Sequence, residues 1–319
     1  MKTIIGISNF SFNKSHFGSF QELNEQFSYF QVLKKSYKQA KVSFSIGTDI
    51  TKDKYFGSSV EEQICNFEYG TDVGIQTAFR TRLHREYLNG FELALTTDEL
   101  KEKALKVPDE ENKENYILFT PVHSIADCKS YNNDETFRNY YEYILGHFPV
   151  DNESFYERVE SHFTNLIYHP DCGTTLDRVT DGFCHYSIAF TTCLRALNDF
   201  SPTDVSSTRD KVRSIKALTN YDCTPENDTH IHFKFDFNHN KTLFSALDCQ
   251  YHLKPSDRNI KGDGSFNQKR LYFGFIPINV TEWKIALASI GPHITKHDSR
   301  DRFAPQKLKR KKKKNKGNS

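Results

Sequence analysis

No stretch of about 18 or more apolar residues occurs in the chain, so no segment reads as a membrane-spanning helix. The apolar run at the N-terminus, Ile4 to Ile7, is too short for the core of a secretion signal, and none is expected. No Cys-x-x-Cys pair is present. The seven cysteines (65, 128, 172, 184, 193, 223 and 249) are odd in number and widely spaced. That pattern excludes a disulfide framework and a cysteine zinc site, and predicts reduced, buried thiols in a cytoplasmic protein. Gly-x-Ser-x-Gly, Walker A and Gly-x-Gly-x-x-Gly patterns are all missing, which removes support for ATP hydrolysis and dinucleotide chemistry. Gly262-Asp263-Gly264-Ser265 is too short to cradle a phosphate and opens no evident helix. No internal repeat is found.

Aromatics are plentiful: 27 Phe and 16 Tyr in 319 residues, with 37% hydrophobic content, too apolar for a wholly disordered chain. The formal charge of +2 conceals an asymmetry. Eight of the 43 Lys and Arg lie in Lys307 to Ser319, which holds no acid. The remainder sets 35 cations against 41 acids, a net of −6. The cations Lys307, Lys309, Arg310, Lys311, Lys312, Lys313, Lys314 and Lys316 form a low-complexity tail, expected to be disordered. Such a tail attracts polyanions by releasing their counterions. DNA, RNA, the ribosome or an anionic membrane surface fit it, as does a merely solubilising role. It also resembles a nuclear localisation signal.

The periodicities predict an α+β chain. In the first third, Thr3–Ser8, Lys41–Ile46, Phe91–Leu95 and Tyr116–Val122 read as strands. They alternate with helices introduced by capping-box signals at Ser19/Glu22 and Ser58/Glu61. Three helical runs follow, at 136–147, 152–168 and 183–200, and a shorter basic one at 206–218. From His230 the period changes to two. His230–Phe237, Leu243–Leu253, Lys269–Ile276 and Lys284–Ile290 read as four strands of an antiparallel meander. The expected organisation is therefore an α/β and helical region over 1–228, a β-rich module over 229–296 and a basic tail over 297–319.

The meander carries the most informative residues. His252 and Lys254 are two apart on one strand and share a face, as do Arg270 and Tyr272 on the next; His293 follows Gly291-Pro292. Together they suit phosphodiester chemistry without a metal or other cofactor. Lys254 and Arg270 would hold phosphate and stabilise the transition state. His252, Tyr272 and His293 would exchange protons with a 2′-hydroxyl or a leaving oxygen. A half-exposed strand with no catalytic role shows the same residue types. A metal-dependent nuclease of the PD-(D/E)xK type would draw on Asp236, Asp248 and Lys254, but His252 stands where that motif needs an acid. His230-x-His232 with Asp236 resembles a strand-borne metal pair lacking a third ligand. His169-Pro170-Asp171-Cys172-Gly173 reads as a turn.

The strings Tyr251-His252-Leu253-Lys254, Arg270-Leu271-Tyr272-Phe273 and Ile290-Gly291-Pro292-His293-Ile294 resemble the end of a prokaryotic family associated with mobile islands and phage defence. Leu194 to Phe200 is similar as well. A second likeness is to RelE-like toxin ribonucleases, which cleave RNA without metal. It implies phosphate binding at Lys254, transition-state stabilisation at Arg270, and acid or base roles at Tyr272 or His293. The chain is far longer than those toxins, and its Pro255–Gln268 loop is long. The resemblances imply an antiphage-defence or toxin-like nuclease. A non-enzymatic adaptor that docks nucleic acid within a multi-gene defence complex is the alternative.

Overall fold

The computed structural model describes residues 1–54, 57–67, 73–122, 125–201, 207–226, 231–262, 268–279 and 282–304. The chain is α+β and forms two compact units, Met1–Val150 and Asp151–Ser319. The expected boundary at 228/229 falls inside the second unit, because α-helical residues 152–217 share a unit with the later strands.

The first unit is built on a wholly parallel sheet in the order β2-β1-β3-β4. Its elements are β1 (Lys2–Ile7), α1 (Phe20–Ser36), β2 (Val42–Ile46), α2 (Val60–Asn66), α3 (Val73–Arg82), α4 (Thr97–Leu105), β3 (Glu114–Phe119), β4 (Ser130–Tyr131) and α5 (Asp134–His147). Strand alternation divides the core. Ile5, Ile7, Phe44, Ile46, Ile117 and Phe119 face an aromatic cluster that includes Phe27, Phe30 and Tyr141, while Leu118 meets Leu100 and Ala104 of α4. The sheet is covered on both faces, as parallel sheets require.

Local signals are accurate to within a residue or two. Ser19 caps α1 by accepting from the Glu22 N–H, but the Glu22 carboxylate takes the Gly18 N–H, so the expected box closes one residue early. The second box is Ser59/Glu62 rather than Ser58/Glu61, and there it is reciprocal. Phe91–Leu95 is reduced to an isolated bridge from Glu92 to Ser45 and a hydrogen bond from the Thr48 N–H to the Leu95 carbonyl. Helix α3 runs on into a π-helical turn at Leu83–Tyr87.

The second unit comprises α6 (Asn152–His162), β5 (Ile167–Tyr168), α7 (Ser187–Asp199), α8 (Thr208–Ala217), β6 (Cys223–Pro225), β7 (Lys234–His239), β8 (Thr242–Asp248), β9 (Tyr251–Ser256), β10 (Lys269–Pro277) and β11 (Trp283–Pro292). Its main sheet runs β5-β11-β10-β9-β6, antiparallel except that β5 lies parallel to β11. The four-strand meander is thus corrected. The stretch expected as one strand, 243–253, breaks at Cys249 into β8 and β9, and β7–β8 forms its own hairpin. Gly274 shows why the break is tolerated: a Cβ there would stand 2.6 Å from the Asp248 carbonyl oxygen, so only glycine lets the β8–β9 connection pass over β10. Asn240 and Lys241 both have positive φ, as a two-residue type I′ hairpin turn demands.

The hairpin covers part of one face of the main sheet, where Phe233, Phe235, Phe237, Tyr272, Ile276 and Ala288 form a core. Helix α7 packs against β9 and β11.

Candidate functional site

Cross-strand register sets a row of polar side chains across the sheet. Thr224 on β6 pairs with His252 on β9, His252 with Tyr272 on β10, and Tyr272 with Ser289 on β11. Opposed residues share a face, so pairing alone brings the His252 and Tyr272 rings to 5.1 Å between centroids. His293 reaches the same place from the end of β11. Its ring lies 6.4 Å from His252 and 6.1 Å from Tyr272.

The approach of His293 depends on Gly291. The backbone carbonyl of Thr175 presses against Gly291 where any side chain would stand, and the Thr175 hydroxyl lies 2.9 Å from both the N–H and the carbonyl of Ile290. The His293 N–H donates to the Gln268 carbonyl at 2.8 Å. These contacts fix the chain as it leaves the sheet.

The group that joins the cluster is Glu226, directly after β6. Its Oε1 lies 3.2 Å from His293 Nε2, accepts from Tyr272 Oη at 3.2 Å and stands 3.5 Å from His252 Nδ1. His252 is completed by Thr224 Oγ1 at 3.2 Å from Nε2 and the Gln250 carbonyl at 3.3 Å from Nδ1. Three of the five expected residues therefore converge on one carboxylate oxygen that was not anticipated. No spacing motif announces Glu226; β6 is three residues long and Pro225 stands within it. The detectable signal was Thr224-Pro225-Glu226, a short polar string with no characteristic period.

Electrostatics separate the roles. The His293 hydrogen bond and the neighbouring histidines lower the Glu226 pKa to about 2, against the opposing effect of burial. Burial is the main cause of the fall in the His252 pKa to about 4, aided by the Arg270 and Lys254 charges and resisted by Glu226. Burial also keeps the Tyr272 phenol protonated, its pKa well above the ordinary value. At neutral pH the cluster is an ionised carboxylate, a neutral His252 and a phenol donor. His252 and Tyr272 are buried, whereas the His293 side chain is 34% exposed. A proton can pass between solvent and the cluster at His293.

The other two expected residues stand differently. Arg270 is buried. Its Nη1 donates to the Ser256 and Lys269 carbonyls, while Nη2 donates to Asp257 at 2.6 Å and Gln268 at 3.3 Å. The guanidinium is committed to the protein rather than presented to solvent. Lys254 shares a strand face with His252, is partly exposed, and its charge acts on His252, Asp222 and Cys223. Next to Arg270, the buried Lys269 ammonium meets Asp181 at 2.7 Å and the Tyr186 hydroxyl at 3.0 Å.

The remaining sequence candidates are dispersed. Asp236 accepts the Ala246 N–H and Asp248 pairs with Lys234, both on the hairpin. His232 is buried, with Nε2 2.9 Å from the Asp298 carbonyl oxygen. His169 to Cys172 forms a turn in which the Cys172 N–H donates to the His169 carbonyl. Among the described residues no group of three or more His, Cys, Asp or Glu is arranged to hold a metal ion. His230, Gly264, Ser265 and the cations from Lys307 to Lys316 lie outside the described residues. No helix of the described residues is long and apolar enough to cross a membrane. Comparison with protein-family models, curated proteins and solved structures finds no match to this chain.

Proposed function

We propose that the chain is a toxin-like or defence nuclease that cleaves RNA without a metal, with His293 as its general base. One observation carries the reading: Glu226 Oε1 lies 3.2 Å from Nε2 of the only partly exposed imidazole in the cluster. A carboxylate there favours the Nε2–H tautomer and leaves the Nδ1 lone pair for a substrate proton. His252 and Tyr272 hold the carboxylate in place. Lys254, on the same strand face, supplies positive charge for the phosphate. In the proposed step His293 Nδ1 takes the 2′-hydroxyl proton. The 2′-oxygen bonds to the adjacent phosphorus, and the P–O5′ bond breaks. The 5′-oxygen leaves with a proton from solvent, giving a 2′,3′-cyclic phosphate. Arg270, committed to Asp257, stabilises the loop beside the site instead of gripping phosphate.

The test is cleavage of an RNA oligonucleotide in excess chelator, beside the same oligonucleotide with 2′-deoxy sugars. The wild type should cut only the RNA. His293→Ala should lower the rate by about 10²–10⁴-fold, and Glu226→Gln should lower it and alter the pH–rate profile. Cleavage of the deoxy substrate would transfer the activity to DNA and discard the 2′-hydroxyl step. Absence of any cleavage by the wild type would remove the enzymatic reading.

The buried state of His252, Tyr272 and Arg270 favours a second reading, in which the network is a polar core and the chain is a nucleic-acid-docking adaptor in a defence complex. Truncation at Pro305 discriminates. Loss of salt-sensitive nucleic-acid binding with no effect of His293→Ala supports the adaptor. Cleavage that survives truncation and dies with His293→Ala supports the nuclease.

A further inference from the structure

A second concave site lies in the same unit, where the β7–β8 hairpin, the turn after β5 and the segment after β11 meet. It is a cavity of about 440 Å³. Its apolar wall includes Phe235, Ala288 and Phe303, and its polar groups are His169, Asp171, Thr175, Lys234, Asp236 and Arg302. That volume is in the range of small-molecule pockets.

The polar groups are held from behind. Arg302 donates through Nη1 to the His232 and Lys234 carbonyls and lies 4.0 Å over the Phe235 ring. This fixes the plane of the guanidinium. Its Nε and Nη2 edge has no protein acceptor among the described residues, and that edge is a fork suited to bidentate contact with an oxyanion. His169 packs edge-on against Phe235 and Phe237. Its Nδ1 accepts the Asp171 N–H at 3.1 Å, which sets the tautomer with Nε2 as a donor. Burial lowers the pKa of the ring, and Asp171, Asp236 and Arg302 line the same cavity. Asp236 spends Oδ1 on the Ala246 N–H at 2.7 Å, leaving Oδ2 as an acceptor.

We propose that this cavity binds a mononucleotide, with its phosphate on the Arg302 fork and its base amine on Asp236. His169 Nε2–H completes the phosphate contacts, and Lys234, paired with Asp248 at 3.6 Å, adds positive charge beside them. The base lies on the apolar wall, and a carboxylate suits an exocyclic amine as it does in base readout. Inorganic phosphate would leave the apolar wall and Asp236 unused. The inference does not depend on the chemistry at Glu226.

The experiment is calorimetric titration of the full chain with AMP, GMP, CMP and UMP, with inorganic phosphate alongside. It is run at about 0.5 M salt to screen the basic tail. At least one nucleotide should bind saturably, and tighter than phosphate. Arg302→Lys and His169→Phe should each weaken it at least tenfold, and Asp236→Asn should reorder the four bases. Arg302 also braces the hairpin, so His169→Phe carries the test if Arg302→Lys fails to fold. His293→Ala should bind as the wild type does; loss of binding there would overturn the placement. No binding by folded wild type, unchanged binding in His169→Phe, or phosphate binding as tightly as every nucleotide would each overturn the proposal.

Discussion

The two units bury different kinds of polar group. Among the described residues, the interior of the first holds hydroxyls and amides, such as Ser8, Asn9, Ser11, Gln63 and Asn115. Its charged exception, Glu142, pairs with Arg138 at 2.7 Å. The interior of the second holds Arg158, Lys211, His232, His252, Lys269 and Arg270. Neutral groups cost little once hydrogen-bonded, whereas a buried charge must be paired or its protonation shifts. The first unit thus resembles a scaffold stabilised by its aromatic core. The second keeps ionisable groups in a low-dielectric setting, where their chemistry can be altered.

The sharpest way to break this comparison is to remove one member of a buried pair. Asp181→Ala leaves the Lys269 ammonium uncompensated and should cost about 3–5 kcal/mol in denaturant unfolding. Asp181→Leu with Lys269→Met should recover most of that loss. If the single variant is as stable as the wild type, the second unit does not depend on paired charge. In the first unit the matching cut is apolar. Phe27, packed among Phe12, Phe30, Phe79 and Tyr87, should cost about 3–5 kcal/mol when changed to Ala, independently of pH.

Acid sharpens the contrast further. Between about pH 6.5 and about 4 the unfolded chain carries a proton on His252 that the folded chain excludes, so stability falls as pH drops through that window. Glu226 extends the fall from its ordinary 4.5 to about 2, because the unfolded carboxylate is protonated first. Unfolding midpoints measured against pH should show both limbs, and His252→Gln should reduce the upper one to the part that the buried His169 ring contributes. An unchanged upper limb in that variant would assign it elsewhere. The smallest effect is local. Lys241 adopts φ of 66° in the hairpin turn, and Lys241→Gly should stabilise by about 0.5–1 kcal/mol, read as a raised melting temperature.

Much of this architecture was legible because it is written in short-range signals. Helix caps at Ser19 and near Ser59, the apolar alternation of β2 and the helical period of α7 each depend on residues a turn or less apart. His252 and Tyr272 were legible as a pair for the same reason, since alternation assigns faces before any pairing is known. Glu226 was not, because its place comes from pairing between β6 and β9, 28 residues apart at Thr224 and His252. Arg270 misleads in the opposite way: its position on the strand is right, but Asp257 occupies its guanidinium through a loop whose course no local pattern fixes. The split of 243–253 hides equally well, since what permits it is a glycine on another strand.

The Thr175–Ile290 contact has a kinetic consequence. It ties together residues 115 apart, so the segment that delivers His293 acquires its final course only after that long loop has closed. Closure over such a separation is slow relative to hairpin formation between β10 and β11. During refolding the β10–β11 hairpin should therefore exist before the imidazole of His293 reaches the Glu226 carboxylate.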